Sequence, residues 1–230
     1  MLVACKKVYK SFGDQEVLRN INLKIPTGKI VGLLGKNGQG KTTLIKLITG
    51  LLTPTRGEVK IDGRPIGVET KARISYLPER TYLDRNMTVR EVLKYFSEFY
   101  QNFNQPRAEK LLKELDLDIN SKIVHMSKGM QEKLQLILVM SRDAELYILD
   151  EPLGGVDPAT REYIIKTILA NFCEGASVLI STHLIADVEQ ILDEVIFINE
   201  GKIVLMAPAD KLRADKNASI DEIFRKEFKW

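Results

Sequence analysis

Cysteine is nearly absent: Cys5 and Cys173 are the only two in 230 residues. They stand far apart and in no metal-ligand spacing. That excludes a disulfide framework and a Cys-based zinc site, and a reduced intracellular protein is expected. Long apolar runs are missing too. The longest, such as Leu136 to Met140, fall far short of the ~18 residues a bilayer span needs. The chain is therefore expected to work at a membrane only through a partner. Leu2-Val3-Ala4-Cys5 mimics a lipoprotein cleavage box, but no charged and apolar leader precedes it, so no anchor is expected there. Neither sign of charge dominates: 34 Lys and Arg stand against 31 Asp and Glu, a net charge of +3. This balance argues against nucleic acid or an anionic membrane as the primary partner. There is no internal repeat, low-complexity tract, Gly-x-y period or heptad period, which excludes a fibre.

What is present is a core-forming chain, 44% hydrophobic, long enough for one domain. Ile21, Leu23 and Ile25 alternate with polar residues. Lys29 to Leu34, Arg73 to Leu77, Leu146 to Leu149, Ser177 to Ser181 and Glu194 to Ile198 are short apolar or β-branched runs. Several are almost continuously apolar, as in strands buried on both faces of a parallel sheet. Helical patterns lie between them. One runs from Lys41 to Leu52. Another opens at the capping box Thr88-x-x-Glu91 and reaches about Phe103. Pro106 and Pro158 each stand at the start of a further helix, the second covering Ala159 to Ala170. The alternation predicts an α/β core. The stretch from Pro78 to Val124 interrupts it with two helical patterns and no strand, and reads as a helical insertion. The chain's end reads as a small appendage: strands Val195 to Ile198 and Lys202 to Leu205 around the Glu200-Gly201 turn, then two short helices.

Chemistry concentrates in three places. Gly35-Lys36-Asn37-Gly38-Gln39-Gly40-Lys41-Thr42-Thr43 follows an apolar strand and opens a helix, the context a phosphate-binding loop requires. Glycines let the backbone wrap closely and turn N–H groups onto phosphate oxygens, and the helix adds the positive end of its dipole. Lys41 would reach the β and γ phosphates, and the Thr42 hydroxyl would bind Mg²⁺. Second, Leu146 to Leu149 ends in Asp150-Glu151-Pro152. Asp150 would face the Mg²⁺ shell, and Glu151 could polarise a water for in-line attack on the γ-phosphate. Third, His183 follows a buried strand, at the end where α/β ligands bind.

In order and over nearly its whole length, the chain resembles the nucleotide-binding subunit of an ABC transporter. The resemblance implies a P-loop NTPase core with a mostly parallel sheet, an N-terminal antiparallel β subdomain and a helical signature subdomain. It divides a single domain into core residues 1–78 and 143–206, helical residues 79–142 and a C-terminal appendage 207–230. Met126-Ser127-Lys128-Gly129-Met130-Gln131 resembles the family's L-S-G-G-Q signature, which contacts the γ-phosphate held by the other subunit of a dimer. Ser127, Lys128 and Gly129 thereby become nucleotide-binding candidates in trans. Phe12 resembles the aromatic that stacks on adenine, and Val17 its apolar neighbour. Gly154-Gly155-Val156-Asp157 resembles the loop that crosses the dimer interface. Glu151 resembles the catalytic glutamate and His183 the switch histidine.

Departures from the family pattern are informative. Glu79 stands where the family usually has Gln, Lys128 replaces a signature glycine, and Met130 replaces its glutamine. The combination resembles the bacterial antibiotic and bacteriocin-peptide export and immunity subfamily. The resemblance implies an ATPase using ATP and Mg²⁺, with Thr42, Glu79 and Asp150 around the metal. It implies a second copy or a homologous ATPase subunit as dimer partner, and an integral membrane permease at the cytoplasmic face of the membrane, with export the expected direction. Tyr82, Tyr95, Phe96, Phe99, Tyr100 and Phe103 crowd the helical insertion. Most would form its core, and some would line a groove for a short permease helix, with Tyr82 the one most expected to be exposed. Two other functions are weighed against this one. A soluble ATP-driven clamp on the ribosome or DNA would resemble two lobes in one chain or a lobe split by a coiled coil, and neither is here. A non-catalytic ATP-binding module would lack Lys41 or Glu151, and both are present.

Overall fold

The computed structural model describes residues 1–228. The last two residues of the expected 207–230 appendage lie outside that range. Strands β1 (Val3–Phe12) and β2 (Gln15–Ile25) form an antiparallel hairpin. β3 (Ile30–Leu34) leads into α1 (Lys41–Ile48), and β4 (Arg56–Ile61), β5 (Arg64–Pro65) and α2 (Val68–Ala72) follow. β6 (Ile74–Leu77) then gives way to three helices, α3 (Val89–Phe99), α4 (Gln105–Glu114) and α5 (Lys128–Met140). The strand–helix alternation resumes with β7 (Leu146–Asp150), α6 (Pro158–Asn171), β8 (Ser177–Thr182) and α7 (Ile185–Val188). β9 (Glu194–Asn199), β10 (Lys202–Pro208), α8 (Ala209–Lys216) and α9 (Ile220–Glu227) complete the chain.

Two sheets result. The smaller is antiparallel, in the order β2-β1-β4-β5; the larger has the order β10-β9-β3-β8-β7-β6 and is parallel except for β10. This is the expected α/β class with its antiparallel part. The larger sheet is covered on both faces, and strand periodicity divides its side chains. Tyr147, Leu149, Val178 and Ile180 pack with the helices of one side. Leu146, Ile148, Leu179, Val31 and Leu33 pack with α1 and the antiparallel sheet on the other.

The appendage reading needs correcting. β9 pairs in parallel with β3, Leu33 opposite Ile196 and Leu34 opposite Phe197, so it belongs to the central sheet, with β10 as its antiparallel edge. Only α8 and α9 lie beyond it, and Phe224 and Phe228 pack on Phe197. α1 stops at Ile48 rather than Leu52, because Gly50 adopts a left-handed conformation at φ 70°. α3 stops at Phe99 rather than Phe103: Tyr100 is extended and its ring stacks 3.9 Å under the Arg142 guanidinium. The predicted capping box does open α3, with Thr88 accepting from the Glu91 amide and the Glu91 carboxylate accepting from the Thr88 amide.

The parallel register fixes where chemistry can gather. Leu34 is level with Thr182, Asp150 with Ser181, and Leu77 with Leu149. The segments that follow β3, β6, β7 and β8 therefore leave the sheet at one rim, the usual ligand edge of such a sheet.

Candidate functional site

The loop from Gly35 to Gly40 leaves β3 over the end of β9. A Cβ on Gly35 would lie 2.7 Å from the Ile198 carbonyl oxygen, so no larger residue fits there. Gly40 caps α1 at φ 101°, a conformation that strains any L side chain. The Val17 carbonyl lies beside it, 3.4 Å from a Cβ built on Gly40. The Gln39 side chain braces the loop from the β9–β10 turn: its Oε1 accepts the Glu200 amide at 2.5 Å.

Lys41 is 5% exposed and its Nζ donates to the carbonyls of Gly35 at 2.6 Å and Lys36 at 3.2 Å. It also lies 3.0 Å from Glu151 Oε1, a charge contact rather than a directed hydrogen bond. Glu151 adopts φ 50°, a left-handed turn immediately after β7. The Ser181 backbone carbonyl, at 3.0 Å, accepts its amide and holds that turn. Its other carboxylate oxygen is 2.9 Å from His183 Nδ1. Lys41, Glu151 and His183 thus form one contiguous chain of contacts.

Asp150 is buried, and Ser181 Oγ donates to its Oδ1 at 2.5 Å. Burial pushes its carboxyl above the usual range; hydrogen bonds from Ser181 and Thr42 oppose this, and the charges of Glu151 and Glu79 reinforce it. Its Oδ2 is buried with no protein donor. A buried carboxylate oxygen without a donor, next to a threonine hydroxyl, is the chemistry of a hard divalent cation held by few protein oxygens plus substrate phosphates. Among the described residues no three His, Cys, Asp or Glu cluster as a self-sufficient metal cage. Glu79 is exposed, with no ion pair to Arg80 or Arg85 within 4 Å among the described residues, and lines the same cleft as Asp150 and Glu151.

The remaining candidates lie elsewhere. Phe12 ends β1 with its ring 48% exposed and Lys10 Nζ 5.0 Å from its centroid. Ser127 caps α5 by accepting the Met130 amide. A Cβ on Gly129 would meet nothing within 4 Å, so this helix end is open to an incoming group. Lys128 reaches Glu132 at 3.5 Å, and with Asn37 and His183 lines a cleft of about 640 Å³. Asp157 caps α6 by accepting the Thr160 amide at 3.1 Å.

A second concavity, about 800 Å³, is lined by Leu51, Val68, Tyr82, Phe96, Phe99 and Tyr100 among others. Phe96 is buried, while Phe99 at 65% and Tyr95 at 54% are more exposed than Tyr82 at 47%. Tyr82 is exposed, as expected, and Phe99 and Tyr95 are exposed as well. Sequence reasoning missed Ser181, which fixes both acidic residues, and Arg142, which is buried in the groove wall and donates to the Ile74 carbonyl at 2.6 Å. No local pattern marks either.

Residues 18–154 match the family model described as ABC transporter. The chain is 29% identical to the lantibiotic transport ATP-binding protein SrtF of Streptococcus pyogenes, over 98% of this chain and 97% of that one. A solved ATP-binding subunit of an ABC transporter superimposes with a TM-score of 0.89 at 30% identity, over 98% and 99% of the two chains. A dimeric post-hydrolysis state of the ATP-binding cassette MJ0796, bound to ADP and Pi, superimposes with a TM-score of 0.79 at 25% identity, over 90% and 99%.

Proposed function

The chain belongs to the ABC transporter family and is an ATP-binding ATPase of it; from that premise we propose that it powers a separate membrane permease exporting a peptide, an antibiotic or another small amphiphile. The observation that carries the hydrolytic part is the contact chain Lys41–Glu151–His183 beside the donor-free oxygen of Asp150. With ATP bound, Lys41 moves from Glu151 to the β and γ phosphates. Glu151, freed from Lys41 and steered by His183, accepts a proton from the attacking water. Asp150 and Thr42 would hold Mg²⁺, with Glu79 close by, and the metal would supply charge neutralisation on the phosphates.

Two chains are needed for this. The open N-terminus of α5 at Ser127 and Gly129 offers a hydroxyl, close backbone approach and a positive helix end, and the ligand that suits it is the γ-phosphate held by a partner. The dimeric state of MJ0796 supports that reading. Among the described residues no helix is long and apolar enough to cross a membrane; in the proposal the permease is a separate polypeptide or region. Its docking place is the aromatic groove, lined by Pro78, the residue before Glu79, so pressure in the groove reaches the metal site through one peptide unit. Export is supported by the likeness to the Nod factor export ATP-binding protein I of Burkholderia lata, 30% identical over 95% of this chain and 75% of that one. The test is reconstitution with a candidate permease of about six apolar spans sought in the adjacent reading frame: stimulated phosphate release supports the coupling, and unchanged release refutes it.

A further inference from the structure

Between α5 and the ends of β6 and β7 lies a small cavity of about 30 Å³, bounded by Glu79, Glu132, Gln135, Asp150, Glu151 and Gly154. Its walls are rich in acceptors and poor in donors. Lys41 lies against Glu151 Oε1 at 3.0 Å, and Lys128 against Glu132 Oε1 at 3.5 Å. That leaves Gln135 Oε1, Glu132 Oε2 and Asp150 Oδ2 buried with no protein donor. Gln135 is only 3% exposed. Such an amide in an otherwise apolar helix face is costly to leave unpaired. Its neighbours Leu134 and Leu136 to Met140 are all buried apolar residues. A water needs about 10–15 Å³ of such space and two or more polar partners, and the cavity offers both.

We propose that Gln135, together with Glu132, is a positioning residue for ATP hydrolysis: it anchors ordered water that bridges the signature helix α5 to the carboxylates at the ends of β6 and β7. Each bridging water donates one hydrogen to an α5 oxygen and the other to the opposite wall. α5 begins at Ser127, so a shift of that helix when its N-terminus meets the partner's nucleotide is transmitted to Asp150 and Glu151 of its own chain. Gln135 touches no reacting atom; it acts through the water. The proposal rests on the reading of Glu151 as the base and goes beyond it by naming what holds that region in register with α5.

The test uses full-length protein and two substitutions that keep side-chain size while removing the strong acceptor, Gln135→Leu and Gln135→Met. A crystal structure of the parent at about 1.5 Å is expected to show water within hydrogen-bond distance of Gln135 Oε1 in this cavity, and those of the variants to lack it. Melting temperature is expected to be unchanged or higher, because an apolar group replaces a buried polar one. The kcat for ATP is expected to fall about tenfold at unchanged KM, as for loss of other groups that orient a metal site from behind. A dry cavity in the parent, a parental kcat in both variants, or a joint loss of melting temperature and ATP affinity overturns the proposal. Glu151→Gln measured alongside separates the two claims: parental turnover there removes Glu151 as base, whereas the water positions are read from the crystals independently of it.

Discussion

The phosphate rim and the start of α5 are built in opposite ways. At the rim the central groups are held within the chain: Lys41 holds two carbonyls and Glu151, His183 holds Glu151, and Ser181 holds Asp150. At the start of α5, Ser127 only caps its own helix and the space over Gly129 is open. The contrast is what the proposal rests on: a rim assembled within one chain for binding nucleotide, and an open helix end for a partner to complete before hydrolysis.

The largest expected effect comes from breaking the rim. Glu151→Gln should retain ATP and lose about 10²–10⁴ in hydrolysis rate, the usual range for a general base. Phosphate release under saturating ATP checks this, and a parental rate would remove Glu151 from that role. Next is the aromatic groove. Phe99→Ala and Tyr82→Ala should leave basal hydrolysis intact and weaken permease binding, by about 2 kcal/mol for a central aromatic anchor. Affinity for the reconstituted permease measures it, and equal affinity would place docking elsewhere. Smaller still is the brace behind the loop. Gln39→Ala removes one hydrogen bond to the β9–β10 turn, worth about 1 kcal/mol, and should raise the ATP Kd roughly fivefold without touching kcat. Calorimetric titration of ATP reads the change directly. The smallest effect is expected at Glu79. Glu79→Gln takes one carboxylate from the cleft, and should keep the maximal rate while flattening the dependence on free Mg²⁺. Superimposable titrations would show that Glu79 does not sense the metal.

The rim was legible because each of its residues answers a local demand. Gly35 and Gly40 meet steric and backbone requirements, and Asp150 and Glu151 end an apolar strand. The groups that position them were not legible. Ser181 meets Asp150 across 31 residues, and Gln39 meets Glu200 across 161. Such pairings are set by the order of strands, which local periodicity does not carry. β1 escaped individual recognition for another reason. Its pairing with β2 is interrupted by bulges between Cys5 and Ser11, and Lys7 turns left-handed, so the alternation that marks a strand is broken. β9 looked like an appendage because its parallel partner β3 lies far earlier in the chain.

The division between a self-contained rim and an incomplete helix end is tested most directly by molecular mass in solution. In the Glu151→Gln background, ATP with Mg²⁺ should convert the 26.1 kDa chain to a species of twice that mass. Adding Gly129→Asp puts bulk and a like charge where the partner's phosphate arrives. It should hold the protein at the monomer mass while ATP binding to each chain stays unchanged. A Glu151→Gln protein that remains monomeric with ATP, or a Gly129→Asp variant that dimerises as well as its parent, would contradict the account.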